Sequence, residues 1–123
     1  MNRDDQVSAR KAAERLSITL QHFRNLAAEL QFERERVSPR RVMYSWTDIL
    51  ERLSLASGRK AEVKNPSRAV FVDQKEASRR LGIAINTFRH HAARTGLLRY
   101  SIGKRGVRYR LDEVVEKLAQ AQY

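Results

Sequence analysis

The feature that most constrains the fold of this chain is an internal duplication. Sliding the sequence by 65 residues aligns 7–53 with 72–118 without a gap. About 15 of the 47 aligned pairs are identical, and most of the identical residues are apolar. Phe23 pairs with Phe88 in this alignment, for example. Because apolar identities of this kind are what a core requires, the chain is expected to contain two copies of one small module.

Each copy begins with two amphipathic helices separated by a short break. Apolar residues recur at helical spacing up to Leu16 in the first copy and Leu81 in the second. A three-residue break follows, and a second helix with its own apolar face comes next. Ser8 and Asp73 are the predicted N-caps of the first helices, because their side-chain oxygens can accept from backbone N–H groups that have no partner within the helix. The pattern predicts helix, tight turn and helix.

The next segment of each copy alternates with a period of two, which is typical of a β-hairpin. In the second copy Tyr100 and Ile102 alternate with polar residues before the turn at 103–106. In the first copy Glu35 takes the place of Tyr100, and Ser38-Pro39-Arg40-Arg41 forms the tip. The first hairpin is therefore expected to pack less tightly than the second.

A third helix closes each copy, with Thr47 and Asp112 as its predicted N-caps. The fold class predicted from this order is α+β and mostly helical, with two tandem winged helix-turn-helix domains that each carry a small β-hairpin wing. The predicted domains are 1–57 and 72–123. A basic linker is predicted over 58–71, where Asn-Pro discourages a helix.

Charge indicates what such a chain would bind. The net charge is +11, divided as +2 in the first predicted domain, +3 in the linker and +6 in the second domain. A small basic body favours polyanions, of which nucleic acid is the commonest, although a solvated basic surface or an anionic membrane would account for the same sum. The sequence has no cysteine, no apolar run long enough to span a membrane and no signal-peptide core, so a cytoplasmic protein is expected.

The second copy resembles the DNA-binding head of the MerR and excisionase superfamily. The residues that carry the resemblance are Gly82-Ile83-Ala84, Thr87-Phe88-Arg89-His90-His91, Gly96-Leu97-Leu98 and Arg108-Tyr109-Arg110. Ala84 departs from the family pattern, because a hydroxyl usually caps the helix at that position. The resemblance implies a winged helix-turn-helix in which the second helix contacts duplex DNA, and it implies a phosphate contact for Arg24 and Arg89.

The candidate DNA-binding residues lie on the second helices and at the hairpin tips. Asn and Gln can pair with adenine edges, and Arg can contact guanine or phosphate. The alternatives are an ordinary polar helix face and solvated turn charges. The aromatic residues Phe23, Phe88, Tyr44, Tyr109 and Trp46 have the spacing of buried faces and are expected in the core. The candidates are Gln21, His22, Arg24, Asn25, Arg40, Arg41, Asn86, Thr87, Arg89, His90, Lys104, Arg105 and Arg108.

The leading hypothesis is a sequence-specific, double-stranded DNA-binding protein, either a small transcriptional regulator or an excisionase-like recombination or architectural factor. Direct-repeat half-sites are expected, and a recombinase or RNA polymerase is a possible protein partner. The alternative is a DNA-tethered protein whose near-neutral first copy binds another protein. RNA binding is disfavoured because no exposed aromatic platform is expected. No enzyme activity, cofactor, metal site or membrane association is predicted.

Overall fold

The computed structural model describes residues 5–56, 69–103 and 106–119. Within these ranges the chain is α+β, with six helices and two small three-stranded antiparallel sheets. The first half, residues 5–56, contains β1 (Gln6–Ser8), α1 (Ala9–Leu16), α2 (Leu20–Leu30), β2 (Arg34–Ser38), β3 (Arg41–Ser45) and α3 (Trp46–Ala56). The second half, residues 69–119, contains β4 (Phe71–Val72), α4 (Gln74–Leu81), α5 (Ile85–Thr95), β5 (Tyr100–Ser101), β6 (Val107–Arg110) and α6 (Leu111–Ala119).

The two halves repeat the same topology at the 65-residue interval of the sequence. The last strand is central in both sheets, which have the orders β1-β3-β2 and β4-β6-β5. Val7 pairs with Tyr44 in the first sheet, and Val72 pairs with Tyr109 in the second. The hairpin pairs repeat in the same way, so strand register is conserved between the halves throughout the aligned pairs.

Local side-chain chemistry fixes where the first helix of each half begins and ends. The Ser8 hydroxyl accepts from the N–H of Lys11 at 3.1 Å, and the Asp73 carboxylate accepts from the N–H of Glu76 at 2.7 Å. Both predicted N-caps are thus confirmed. The helices end in the left-handed conformation, at a glycine in the second half but at Ser17, with φ 57°, in the first. Left-handed backbone is costly for a residue with a Cβ, so the first turn depends on other contacts.

The third helices begin at Trp46 and Leu111, directly after the central strands. Thr47 and Asp112 therefore lie inside the helices, and their prediction as N-caps is wrong. Ser45 takes the capping position in the first half, because its Oγ accepts from the backbone N–H three residues on at 3.2 Å. A period-of-two strand that runs straight into a helix leaves no loop residue to mark the boundary, so the sequence pattern predicts both caps too late in the chain.

The core consists of two clusters of unequal size. The five aromatic residues that the sequence analysis placed in the core are all 8% exposed or less, which confirms that prediction. The smaller cluster lies within the second half. The larger one combines the apolar residues of the first half with four residues of the second, which are Ala69, Phe71, Tyr100 and Ile102. The two halves therefore share a core.

The predicted linker differs from what the structure places there. Residues 57–68 lie outside the described residues. Ala69 and Phe71, assigned to the linker from the sequence, are 4% and 1% exposed, and Phe71 begins β4. Their burial makes 69–71 part of the folded body. Among the helices in the described ranges, none has the length and apolar content that crossing a membrane requires.

Candidate nucleic-acid interface

The second helix of each half presents the polar face on which most of the candidate residues lie. Thr19 caps α2 by accepting from the N–H of His22 at 3.0 Å, whereas Ala84 gives α5 no side-chain cap. Phe23 and Phe88 anchor the inner faces and are fully buried. The opposite faces of these two helices are accordingly turned outward.

On α2 the outward face carries Gln21, Arg24 and Asn25, all exposed. The Gln21 amide donates to Asn25 Oδ1 at 3.0 Å, so these two amides form a hydrogen-bonded pair across one turn of helix. A paired Gln and Asn keep outward-facing donors and acceptors, which is the chemistry that reads base edges in a major groove. Arg24 lies one residue before Asn25 and adds a cation to the same face.

On α5 the exposed candidates are Asn86, Arg89 and His90, with Thr87 partly buried. The Arg89 Nε donates to Gln74 Oε1 at 3.0 Å. Because Gln74 is the first residue of α4, this bond holds the Arg89 guanidinium between the two helices while leaving it exposed. An exposed guanidinium in a fixed position suits a phosphate contact, which positions a protein on DNA.

A groove in the second half adds a cation that the sequence analysis missed. Gln74, Arg89, Arg99 and Tyr109 contribute to the lining of a cavity of about 480 Å³ between α4, α5 and the β5–β6 hairpin. Arg99 is exposed and lies just before β5. Arg34, at the equivalent position of the first half, is also exposed. The signal was available in the sequence, because these two arginines are an identical pair in the 65-residue alignment.

The described residues include the predicted DNA-contacting cations of one hairpin tip but not those of the other. Arg40 and Arg41 are exposed at the β2–β3 turn, where the sequence analysis placed them as DNA-contacting cations. Lys104 and Arg105, predicted at the second tip, lie outside the described residues. The first tip is thus the one whose cations the structure locates.

Arg108, predicted as a DNA contact beside the second tip, points elsewhere. Its Nε donates to the carbonyl of Leu16 and its Nη2 to the carbonyl of Ser17, both at 3.1 Å. These carbonyls belong to the C-terminal end of α1, where a helix has unpaired acceptors and partial negative charge. Burial lowers the pKa of the Arg108 guanidinium, and the Asp73 carboxylate partly offsets this. Arg108 therefore joins the two halves, and the sequence missed this because α1 is 92 residues away from it.

His22, predicted to read bases, also takes part in contacts between the halves. Its Nε2 lies 2.5 Å from the carbonyl oxygen of Ile102 at the end of the second hairpin. Leu26, on the next turn of α2, is buried under the same hairpin, close to Gly103. A second cavity of about 450 Å³ opens here, and Gln21 and Asn25 of α2 also line it. The second hairpin thus borders the candidate reading face of α2.

The charge around these surfaces is uneven. The second-half grooves are lined by Lys75, Arg89 and Arg99 together with one acidic residue, Asp73. The first half carries exposed Glu29, Glu33 and Glu35 beside its arginines. The grooves of the second half therefore present a mainly cationic lining to a polyanion.

Comparisons of the chain with protein-family models, curated proteins and solved structures find no match. Within the described ranges, no three His, Asp or Glu side chains are grouped so as to hold a metal ion. The candidate interface therefore rests on its own geometry, which is a repeated, outward-facing helix accompanied by exposed arginines.

Proposed function

We propose that this protein binds double-stranded DNA through two tandem winged helix-turn-helix heads, with α2 and α5 as recognition helices. The observation that carries the proposal is a repeated pair of exposed arginines. Arg24 and Arg34 in the first half have the same places in the fold as Arg89 and Arg99 in the second. One cation on an amide-bearing helix and a second at the start of the hairpin combine phosphate contacts with base reading, as a helix in the major groove requires.

The contacts between the halves support a direct-repeat target. Helices of the first half contact the sheet of the second, so unlike surfaces meet, as in a head-to-tail arrangement. A twofold axis would bring like surfaces together and suit a palindrome. Two heads that follow one another in the same sense are matched by half-sites that do the same. Either a small transcriptional regulator or an excisionase-like recombination factor would use such a site.

The uncovered edge of β2 supports a second candidate function. All five residues of this strand are exposed, and Val37 is 46% exposed. An exposed strand edge can pair with an extended segment of another protein. In that case the first, less cationic head would bind a protein partner, such as a recombinase or RNA polymerase, while the second head holds DNA.

Salt dependence of DNA binding by the full chain tests the proposal. Duplexes enriched from a random library provide the probe. Arg89→Ala should make the plot of log affinity against log salt concentration shallower by about one unit, because the loss of one phosphate contact releases about one counterion fewer. Arg24→Ala should do the same with a smaller loss of affinity, because its half is less cationic. Lys117→Ala removes the same charge from an exposed position of α6 and is the matched control.

The possible outcomes separate the two candidate functions. Unchanged slopes for both arginine variants, or no preference for any duplex, would contradict the DNA-binding proposal. A shallower slope for Arg89→Ala together with wild-type binding by Arg24→Ala would favour the candidate in which the first head binds a protein.

A further inference from the structure

The second hairpin lies between the two candidate recognition surfaces. On one side Arg99 lines the groove that also contains Arg89 of α5. On the other side Ile102 and Gly103 line the cavity that contains Gln21 of α2. One two-stranded element therefore borders both surfaces, and the positions of α2 and α5 relative to each other depend on how firmly that hairpin is held.

An aromatic core holds the hairpin against the first half. The Phe71 ring packs edge-on against Trp46 at 5.9 Å and against Tyr100 at 5.0 Å between ring centroids. None of these three residues is more than 1% exposed. Close-packed aromatic rings resist sliding, because protein interiors have the density of organic crystals. We call these contacts, together with the polar contacts that Arg108, Ser17 and His22 make with the other half, the junction.

Directional bonds at the junction fix its orientation. Arg108 donates to two carbonyls at the end of α1, and the Ser17 hydroxyl donates to the carbonyl of Phe71 at 3.2 Å. His22 contacts the carbonyl of Ile102. These contacts join the C-terminal end of α1 and helix α2 of the first half to β4 and the β5–β6 hairpin of the second. Rotation of one half against the other would break them while exposing apolar surface.

We propose that the junction makes the two heads one rigid reading unit, so that the protein recognises a single composite duplex site in which the separation of the two half-sites is fixed. The inference rests on the proposed DNA-binding function. The covalent connection through residues 57–68 does not set the spacing, because the halves are already joined by packing. Half-sites moved apart by a whole helical turn would face the right way and still be out of reach of one head.

Insertions in the selected duplex test the spacing. The probe is a duplex enriched by the full chain, lengthened between its two footprinted segments by about 5 or about 10 base pairs, which are half a turn and a full turn. Both insertions should weaken binding by at least about tenfold, to the level of a duplex with one segment scrambled. Binding of the 10-base-pair insertion within about twofold of the parent would overturn the inference, because a flexible connection tolerates a full turn.

A measurement without DNA separates this inference from the proposed function. Backbone ¹⁵N relaxation of the full chain should give the same rotational correlation time for both halves. Different values would overturn the rigid unit, whatever DNA the protein binds. A common value together with no preference for any duplex would overturn the DNA-binding function, and the composite site with it, while the rigid junction stands.

A pair of variants tests whether the junction couples the motions of the two heads. Phe71→Gln introduces the residue that occupies the equivalent position of the first half, Gln6, and should make the two correlation times diverge. Val70→Gln makes the same kind of change at the neighbouring position, which is 55% exposed, and should leave them equal. If Phe71→Gln kept one correlation time and still rejected the 10-base-pair insertion, the Phe71 contacts would not be what couples the heads.

Discussion

The two halves have equivalent backbones but differ sharply at one surface, which is formed by the outer strands of each sheet. In the second half this surface packs against the first half, and in the first half it faces water. Phe71 and Tyr100 form a buried aromatic pair in the second half. Gln6 and Glu35 occupy the corresponding positions in the first, and the Gln6 amide donates to the Glu35 carboxylate at 2.9 Å in an exposed pair. One fold thus carries an apolar surface where a neighbour covers it and a polar surface where water does.

The difference affects whether another copy can pack on the first half in the same way. Contacts between unlike surfaces build rings or open chains when the matching surface of the next copy is free. With Gln6 and Glu35 at its sheet, the first half lacks the aromatic pair that would dock onto α6 of another copy. Val37 and Val115 are equivalent to Ile102 and Leu50, which are buried in the larger core cluster, and they are 46% and 49% exposed. The apolar surface that these two residues expose is small, and it is divided between the two halves.

The largest effect is expected from making the second surface resemble the first. Phe71→Gln should lower the free energy of unfolding by about 3 kcal/mol or more, because it removes a buried ring and places an amide among apolar groups. Denaturant unfolding followed by tryptophan fluorescence would report it, since Trp46 contacts the ring. The reverse change, Gln6→Phe, should alter stability by less than about 1 kcal/mol. Equal effects of the two would contradict the comparison.

A smaller effect is expected at Arg108, whose equivalent in the first half is Met43. Arg108→Met should cost about 2 kcal/mol of stability, because two charge-assisted hydrogen bonds to the end of α1 are lost. The salt dependence of DNA binding should keep its slope, since this guanidinium is engaged with protein carbonyls. A slope shallower by about one unit would restore Arg108 to the DNA contacts expected from the sequence.

The smallest effect is expected at Tyr100 and has the opposite sign. Its hydroxyl is buried without a hydrogen-bond partner among the described residues. Burial, and to a lesser extent the carboxylate of Glu113, raises the pKa of Tyr100. Tyr100→Phe should therefore raise the free energy of unfolding by about 1 kcal/mol.

The same substitution should also change the response to alkali. Since the folded pKa of Tyr100 is raised, the wild-type chain should lose stability as the pH rises above 10, where the unfolded tyrosine ionises. The variant should lose less over that interval. A destabilised Tyr100→Phe variant, measured by denaturant unfolding at pH 7 and pH 10.5, would mean that the hydroxyl has a stabilising role at the junction.

Most of the local fold could be predicted from the residues. Ser8 and Asp73 cap helices as their chemistry suggests, and the aromatic residues at strand and helix spacing are buried. These predictions succeed because capping and periodicity depend on neighbours within a few residues. The third helices begin at Trp46 and Leu111, earlier than the sequence predicts, because no loop separates strand from helix there.

The candidate site could be predicted in part. The exposed positions of Arg24 and Arg89 follow from the helical spacing of the apolar residues around them. The candidates named from the sequence did not include Arg34 and Arg99, although these two residues are an identical pair in the 65-residue alignment. His22 and Arg108 were assigned to DNA because a polar side chain on an outward face gives no sign that a second surface will cover it.

The sequence by itself determined that the chain contains one module twice, with the order of its helices and the alternation of its strands. The tertiary structure alone decided that the second hairpin docks on the first half, which turns Arg108 and His22 from candidate DNA contacts into parts of the junction. The physical reason is distance along the chain. Periodicity reports which face of an element is apolar, whereas the partner of that face is chosen by packing between elements that are far apart in the sequence. The contacts of His22 and Arg108 with the other half, for example, join residues 80 and 92 positions apart.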